Sequence, residues 1–212
     1  MAAAYKVYYF SYLTGFKWIA KGIQDHPHLT FVGGGEESFG YLIGDAVRDK
    51  DAISACLLAC EIAALLKSKG ETLEDHLYQC YKKYGVFREG LVSLTKKGKD
   101  GAQEIADIME QYRQQPPSKI GATAVRYMED FGTGVKTDTK TGEKTKMDYP
   151  ASNVLIFYLE DGSRVALRPS GTEPKIKYYF SVTNPYDASL SWETAMSVLE
   201  EKIDTLKNNL SL

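Results

Sequence analysis

An α/β half followed by an α+β half is the architecture this sequence predicts. Strand-like and helical stretches alternate up to about residue 115. A polar, proline-paired break (Gln-Gln-Pro-Pro-Ser, residues 114–118) then interrupts the chain. Beyond it, several β-prone runs are closed by one long amphipathic helix. The first half therefore reads as a mixed sheet with flanking helices, residues 1–115. The second reads as a mostly antiparallel sheet with helices, residues 116–212.

The elements follow in order. Residues 7–10 (Val-Tyr-Tyr-Phe) are β-prone, and Thr14 is placed to cap a short helix through about residue 24. Residues 29–32 (Leu-Thr-Phe-Val) read as a strand running into Gly33, Gly34 and Gly35. Residues 51–69 form a long helix, apolar on most sides, with Gly70 as its stop. Cys56 and Cys60 lie four apart in that helix and read as buried free thiols, which with the odd Cys80 fits a reducing cytoplasm. Thr72 with Asp75 resembles a capping box and opens a helix to about residue 84. Residues 100–114 are again amphipathic. After the prolines, residues 122–128, 154–159, 164–167 and 176–182 are strand-like, with Glu160-Asp161-Gly162-Ser163 as a hairpin turn. The polar stretch 132–146 reads as an exposed hairpin or loop, and residues 191–208 as the closing helix. The opening residues 1–5 look like the tail of a helix whose preceding strand is absent, so the chain reads as a piece of a longer protein.

At 43% apolar and 25% charged residues the chain can bury a core. Its net charge of -2 argues against a partner gripped mainly through a nucleic-acid backbone, and it lacks a basic stripe. No apolar run approaches the roughly 20 residues that cross a bilayer.

Three segments carry chemistry. In "ALRPSGTEPKIKYYF", residues 166–180, Pro169 and Pro174 force the chain out of a sheet as a loop. That loop offers Arg168, the Ser170 and Thr172 hydroxyls, and Gly171, where a ligand can approach the backbone closely. Lys177 adds positive charge from the following strand, and the set suits an oxyanion such as a phosphate. The alternative is a solvated turn in which Arg168 pairs with Glu173. In "GGGEESFG", residues 33–40, a carboxylate beside a hydroxyl (Glu36 with Ser38, next to Glu37) suits neutral polyols, because it accepts hydrogen bonds from two sugar hydroxyls. A solvent-exposed acidic turn reads equally well. Arg48 and Lys50 precede the long helix, where cations meet an unfavourable dipole; pairing with Asp49 and Asp51, or a ligand anion, would account for them. Thr14-Gly15 opens a helix with free N–H groups. His26, His28 and His76 lack metal-ligand spacing.

Together "LTGFKWI", "GGEESFGYLIGDAVRDKDA" and "RPSGTEPKIKYY" resemble the α-D-phosphohexomutases, most closely the phosphoglucomutase/phosphomannomutase branch. The resemblance implies the third domain, lacking its first strand, and a complete fourth domain with a fold like the TATA-binding protein. It implies an enzyme that moves a phosphoryl group between the 1- and 6-positions of a hexose. The route runs through a phosphoserine and a hexose 1,6-bisphosphate intermediate, which also serves as activator. By motif, Arg168, Ser170, Gly171, Thr172 and Lys177 would bind phosphate, although many relatives carry arginine at the last position. Glu36, Ser38, Thr14 and Gly15 would bind the sugar. Lys50 matches a proposed general acid/base, which would need burial or a cationic neighbour to lower its pKa. The phosphoserine loop and the Asp-rich loop for Mg²⁺ are absent from the sequence, so this chain would bind substrate, hold no metal and be inactive without the other domains of the same protein. A phosphopentomutase, a hexose-bisphosphate synthase and a non-catalytic sugar-phosphate module remain alternatives.

Overall fold

Two units, Met1–Cys80 and Tyr81–Leu212, make up the chain in this computed structural model, which describes residues 1–36, 40–96 and 100–210. The division falls well before the expected break at residues 114–118. A strand absent from the sequence reading, Val86–Thr95, pairs along its whole length with Lys175–Asn184, and the helix Gly101–Gln114 packs on the same sheet. Residues 86–114 therefore belong with the second unit.

The first unit contains α1 (Ala2–Tyr5), α2 (Phe16–Asp25), β1 (Gly33–Gly35), β2 (Tyr41–Ile43), α3 (Ala52–Ser68) and most of α4 (Leu73–Tyr84). Residues 7–10 and 29–32 are not strands. Instead the three glycines themselves pair antiparallel with Tyr41–Ile43. The reason is close approach: a Cβ on Gly33 would meet the Leu42 carbonyl at 3.2 Å, and one on Gly34 would meet Ile19 at 3.2 Å. Asp51 caps α3 by accepting from the Ile53 N–H at 3.1 Å, and its charge suits the helix's positive end. Along α3 only Leu66 is buried, and Cys56 and Cys60 are exposed rather than buried as expected. The three-residue strand β2 that packs on α3 is too small to cover a 17-residue helix. Thr72 and Asp75 form the expected capping box: the Thr72 hydroxyl accepts from Asp75 N–H, while the Asp75 carboxylate accepts from Thr72 N–H.

The second unit holds β3 (Val86–Thr95), α5 (Gly101–Gln114), β4 (Lys119–Ile120), β5 (Thr123–Asp130), β6 (Val135–Asp138), β7 (Lys144–Lys146), β8 (Leu155–Leu159), β9 (Arg164–Pro169), β10 (Lys175–Asn184) and α6 (Trp192–Asn209). The strands form an antiparallel sheet in the order β3-β10-β9-β8-β5-β6-β7, with β4 on β5. The polar stretch after Gly132 is the β6–β7 hairpin. Along β8 and β10, buried and part-exposed residues alternate, so one face presents Leu155, Phe157, Ile176, Tyr178, Phe180 and Val182 to the core. Ile105 and Met109 of α5 and Leu199, Ile203 and Leu206 of α6 close over that face. Ser191 starts α6 with its hydroxyl accepting from Thr194 N–H.

Two phenols in this unit carry a pH dependence. Desolvation, together with Glu129, which accepts from the Tyr158 hydroxyl at 3.0 Å, lifts Tyr158 from 10.0 to about 12. Burial does the same to Tyr178, again to about 12. The folded state thus holds these protons more tightly than the unfolded chain. Their contribution is complete below pH 10.0 and fades as pH rises toward about 12. Urea midpoints should fall across that window, and Tyr158→Phe should make the fall shallower.

Candidate functional site

Within the first unit, separate segments meet around one carboxylate. Gly15, not Thr14, is the N-cap of α2, and Thr14 makes no capping bond. Gly15 takes φ 121°, a conformation side chains rarely adopt. Its N–H donates to Glu36 Oε1 at 2.6 Å, so the carboxylate sits at the positive end of α2. Glu36 N–H donates in turn to the Gly40 carbonyl at 2.9 Å, closing the loop that holds it. Glu37 and Ser38 lie outside the described residues.

Lys50 stands beside this arrangement. Its ammonium bonds Asp49 at 2.9 Å and lies 5.2 Å from the centre of the Phe16 ring. Phe16 is buried, and a Cβ on Gly40 would strike that ring at 2.6 Å and the Lys50 stem at 3.1 Å. Sequence reasoning passed over Phe16 and Gly40, whereas pairing with Asp49 is one of the two accounts it offers for Lys50. The small residue at position 40 inside an otherwise bulky motif was the available signal. The expectation of a lowered Lys50 pKa fails: the side chain is 60% exposed, and the Asp49 hydrogen bond pushes the group up. Lys50 is a standing ammonium, suited to donate a hydrogen bond or a proton. A hollow of about 320 Å³ opens next to it, lined by Tyr41, Asp51, Ala52, Ala55 and Cys56 among others.

Within the second unit the β9–β10 connection forms the other feature. Glu173 pairs with Lys175 at 3.0 Å, not with Arg168. Arg168 and Lys177 are direct partners across β9 and β10, so two cations share one face with no acid between them among the described residues. Like charges placed opposite in this way repel unless an anion lies against them. Ser170 Oγ accepts from the Thr172 and Glu173 N–H groups at 3.4 and 3.3 Å, turning those donors inward. Gly171 lacks the positive φ that would demand glycine, but a Cβ there would meet nothing within 4 Å, so the backbone is open to a ligand.

Residues 1–84 match the phosphoglucomutase/phosphomannomutase alpha/beta/alpha domain III, and residues 92–193 match the C-terminal domain of the same family. The chain belongs to the α-D-phosphohexomutase superfamily. Phosphoglucomutase of Staphylococcus epidermidis (strain ATCC 35984) is 41% identical over 184 residues, covering 86% of this chain and 34% of that protein. Phosphoglucomutase of Staphylococcus aureus (strain MRSA252) is 40% identical over 182 residues, 84% of this chain and 32% of that one. The chain thus spans about a third of the curated phosphohexomutases it matches. The fold is also that of pp63/parafusin, a phosphoglucomutase from Paramecium solved in an open form, with a TM-score of 0.62 at 21% identity over 98% of this chain and 35% of that one. Among the described residues, no three carboxylate, imidazole or thiol groups cluster in a way that could hold a metal. No described helix is long and apolar enough to cross a membrane.

Proposed function

We propose that this chain is the substrate-binding part of a phosphohexomutase that interconverts hexose 1-phosphate and hexose 6-phosphate. The observation that carries the reading is the Arg168–Lys177 couple, without an acidic partner among the described residues, beside an open hydroxyl-bearing loop. In the proposed reaction a phosphoserine outside this chain gives its phosphoryl group to the free hydroxyl of the sugar monophosphate. The new P–O bond forms as the serine O–P bond breaks, and the proton shed by the sugar hydroxyl ends on the freed serine oxygen. The resulting bisphosphate turns over, and its other phosphoryl group returns to serine.

Each residue set has a physical task in that cycle. Turning the sugar over exchanges its 3- and 4-hydroxyls, so their reader must accept either one. A carboxylate such as Glu36, beside Ser38, does so and ignores the configuration at carbon 2, which admits both glucose and mannose. Gly15 holds one Glu36 oxygen, leaving the other for the sugar, and Thr14 lies beside it. Arg168, Ser170, Gly171, Thr172 and Lys177 hold the phosphate that is not reacting, so that remote binding energy orients the chemistry. Lys50 is the candidate general acid/base; as an ammonium held by Asp49 it can exchange its proton only once that bond loosens. The cytoplasm is the compartment this metabolism implies.

Calorimetric titration of the chain tests the reading. Glucose 1-phosphate and glucose 6-phosphate should bind with a Kd on the order of 1 mM, and free glucose at the same concentrations should not. The chain alone should show no mutase turnover. Esters binding no better than glucose would overturn the proposal, and ribose 5-phosphate binding more tightly would move it to a phosphopentomutase.

A further inference from the structure

We infer that Ser93, on edge strand β3, is an additional phosphate-binding residue. The inference rests on the phosphate reading of the Arg168 loop and extends that site onto a third strand. In the ladder of β10 with β3, Lys177 faces Ser93, and in the ladder of β10 with β9 it faces Arg168. Directly paired residues project from the same side of a sheet. The three side chains therefore form one row, Arg168–Lys177–Ser93. The flanking Val92, Leu94 and Tyr178 turn to the opposite face and pack in the core.

Four positions along the same ladder, Ser181 faces Glu89, and the Ser181 hydroxyl donates to that carboxylate at 2.7 Å. Pair geometry in an antiparallel ladder repeats every second residue. The Lys177–Ser93 pair thus has the same geometry as one in which a serine hydroxyl spans to the neighbouring strand. Ser93 is exposed, and its hydroxyl has no protein partner among the described residues. An oxyanion lying over Lys177, the middle of the row, would find Arg168 on one side and in Ser93 a neutral donor on the other, with no added positive charge to worsen the cation repulsion.

Titration of the 212-residue chain with inorganic phosphate, followed through the amide signals of Gly171 and Thr172, tests this. Ser93→Ala should raise the Kd about tenfold, the scale of one hydrogen bond to a charged group. Ser93→Thr, which keeps the hydroxyl and suits a strand, should stay within about twofold of the native value. Ser93→Asp should abolish binding by setting a carboxylate beside Lys177. If Ser93→Ala binds like the native chain while Arg168→Ala does not bind, the inference on Ser93 is overturned and the phosphate loop stands. If the native chain binds no phosphate, both fall.

Discussion

Arg168→Ala should weaken glucose 6-phosphate binding by about 100-fold, because a guanidinium can give phosphate two charge-assisted hydrogen bonds. Stability should move the other way. Arg168 faces Lys177 across β9 and β10, with no acid among the described residues paired to either charge. Removing one of two directly opposed like charges should leave the second unit unchanged or more stable by about 0.5 kcal/mol. Arg168→Glu should go further in both respects, since the new carboxylate would pair with Lys177 and repel phosphate. A calorimetric titration and a urea melt on the same variants read the two effects separately. Affinity retained within about threefold of native would remove Arg168 from the site. A large loss of stability would show that the guanidinium braces the fold instead.

Asp130→Ala should be the most damaging single change to the second unit. Asp130 is 4% exposed and accepts from Gly132 N–H at 2.9 Å, from the Thr133 hydroxyl at 2.9 Å, and from Arg113 Nε at 3.3 Å through each oxygen. Arg113 also donates to the Asn153 side chain, so this one carboxylate ties α5 to the turn after β5. Its removal leaves the Arg113 guanidinium, 21% exposed, with an uncompensated charge. Breaking a buried pair from one side costs about 3–5 kcal/mol. Asp130→Asn keeps the shape and several acceptors, so it should lose less. Urea midpoints at neutral pH measure both, and a cost for alanine under about 1 kcal/mol would show that the cluster is ornamental to stability.

Much of the second unit was legible because its strands bury one face against helices. The alternation from Ile176 to Val182 and from Leu155 to Leu159 is a direct imprint of that burial. The capping box at Thr72 was legible because it satisfies local donors with local atoms. Strand β3 escaped notice because Arg88, Glu89 and Gly90 break its pattern, and it lies at the sheet's edge with little to alternate against. The domain boundary was misplaced for the same reason: prolines mark a loop, whereas membership of a sheet is decided by pairing with distant residues. In the first unit, Gly33–Gly35 formed a strand against its propensity by pairing with Tyr41–Ile43, where Leu42 and Ile19 approach too closely for a side chain to fit without a shift. The site segments were recognisable by their residue types. The Gly15–Glu36 bond was not, since it depends on how a distant loop folds back, whereas the pairing of Lys50 with its neighbour Asp49 was one of the accounts open from the residues alone.

The pairing of β3 with β10 also governs when this protein can finish folding. Contacts such as Ser181 to Glu89 span 92 positions of sequence. On the ribosome, β3 is made well before the strand that shelters one of its edges, and before β9 and the turn that aligns Arg168 with Lys177. Closing so long a loop is slow and leaves an unsatisfied strand edge exposed in the meantime. The row that sets Arg168 beside Lys177 therefore matures only after β9 and β10 have emerged, and a chain released before them would carry a bare β3.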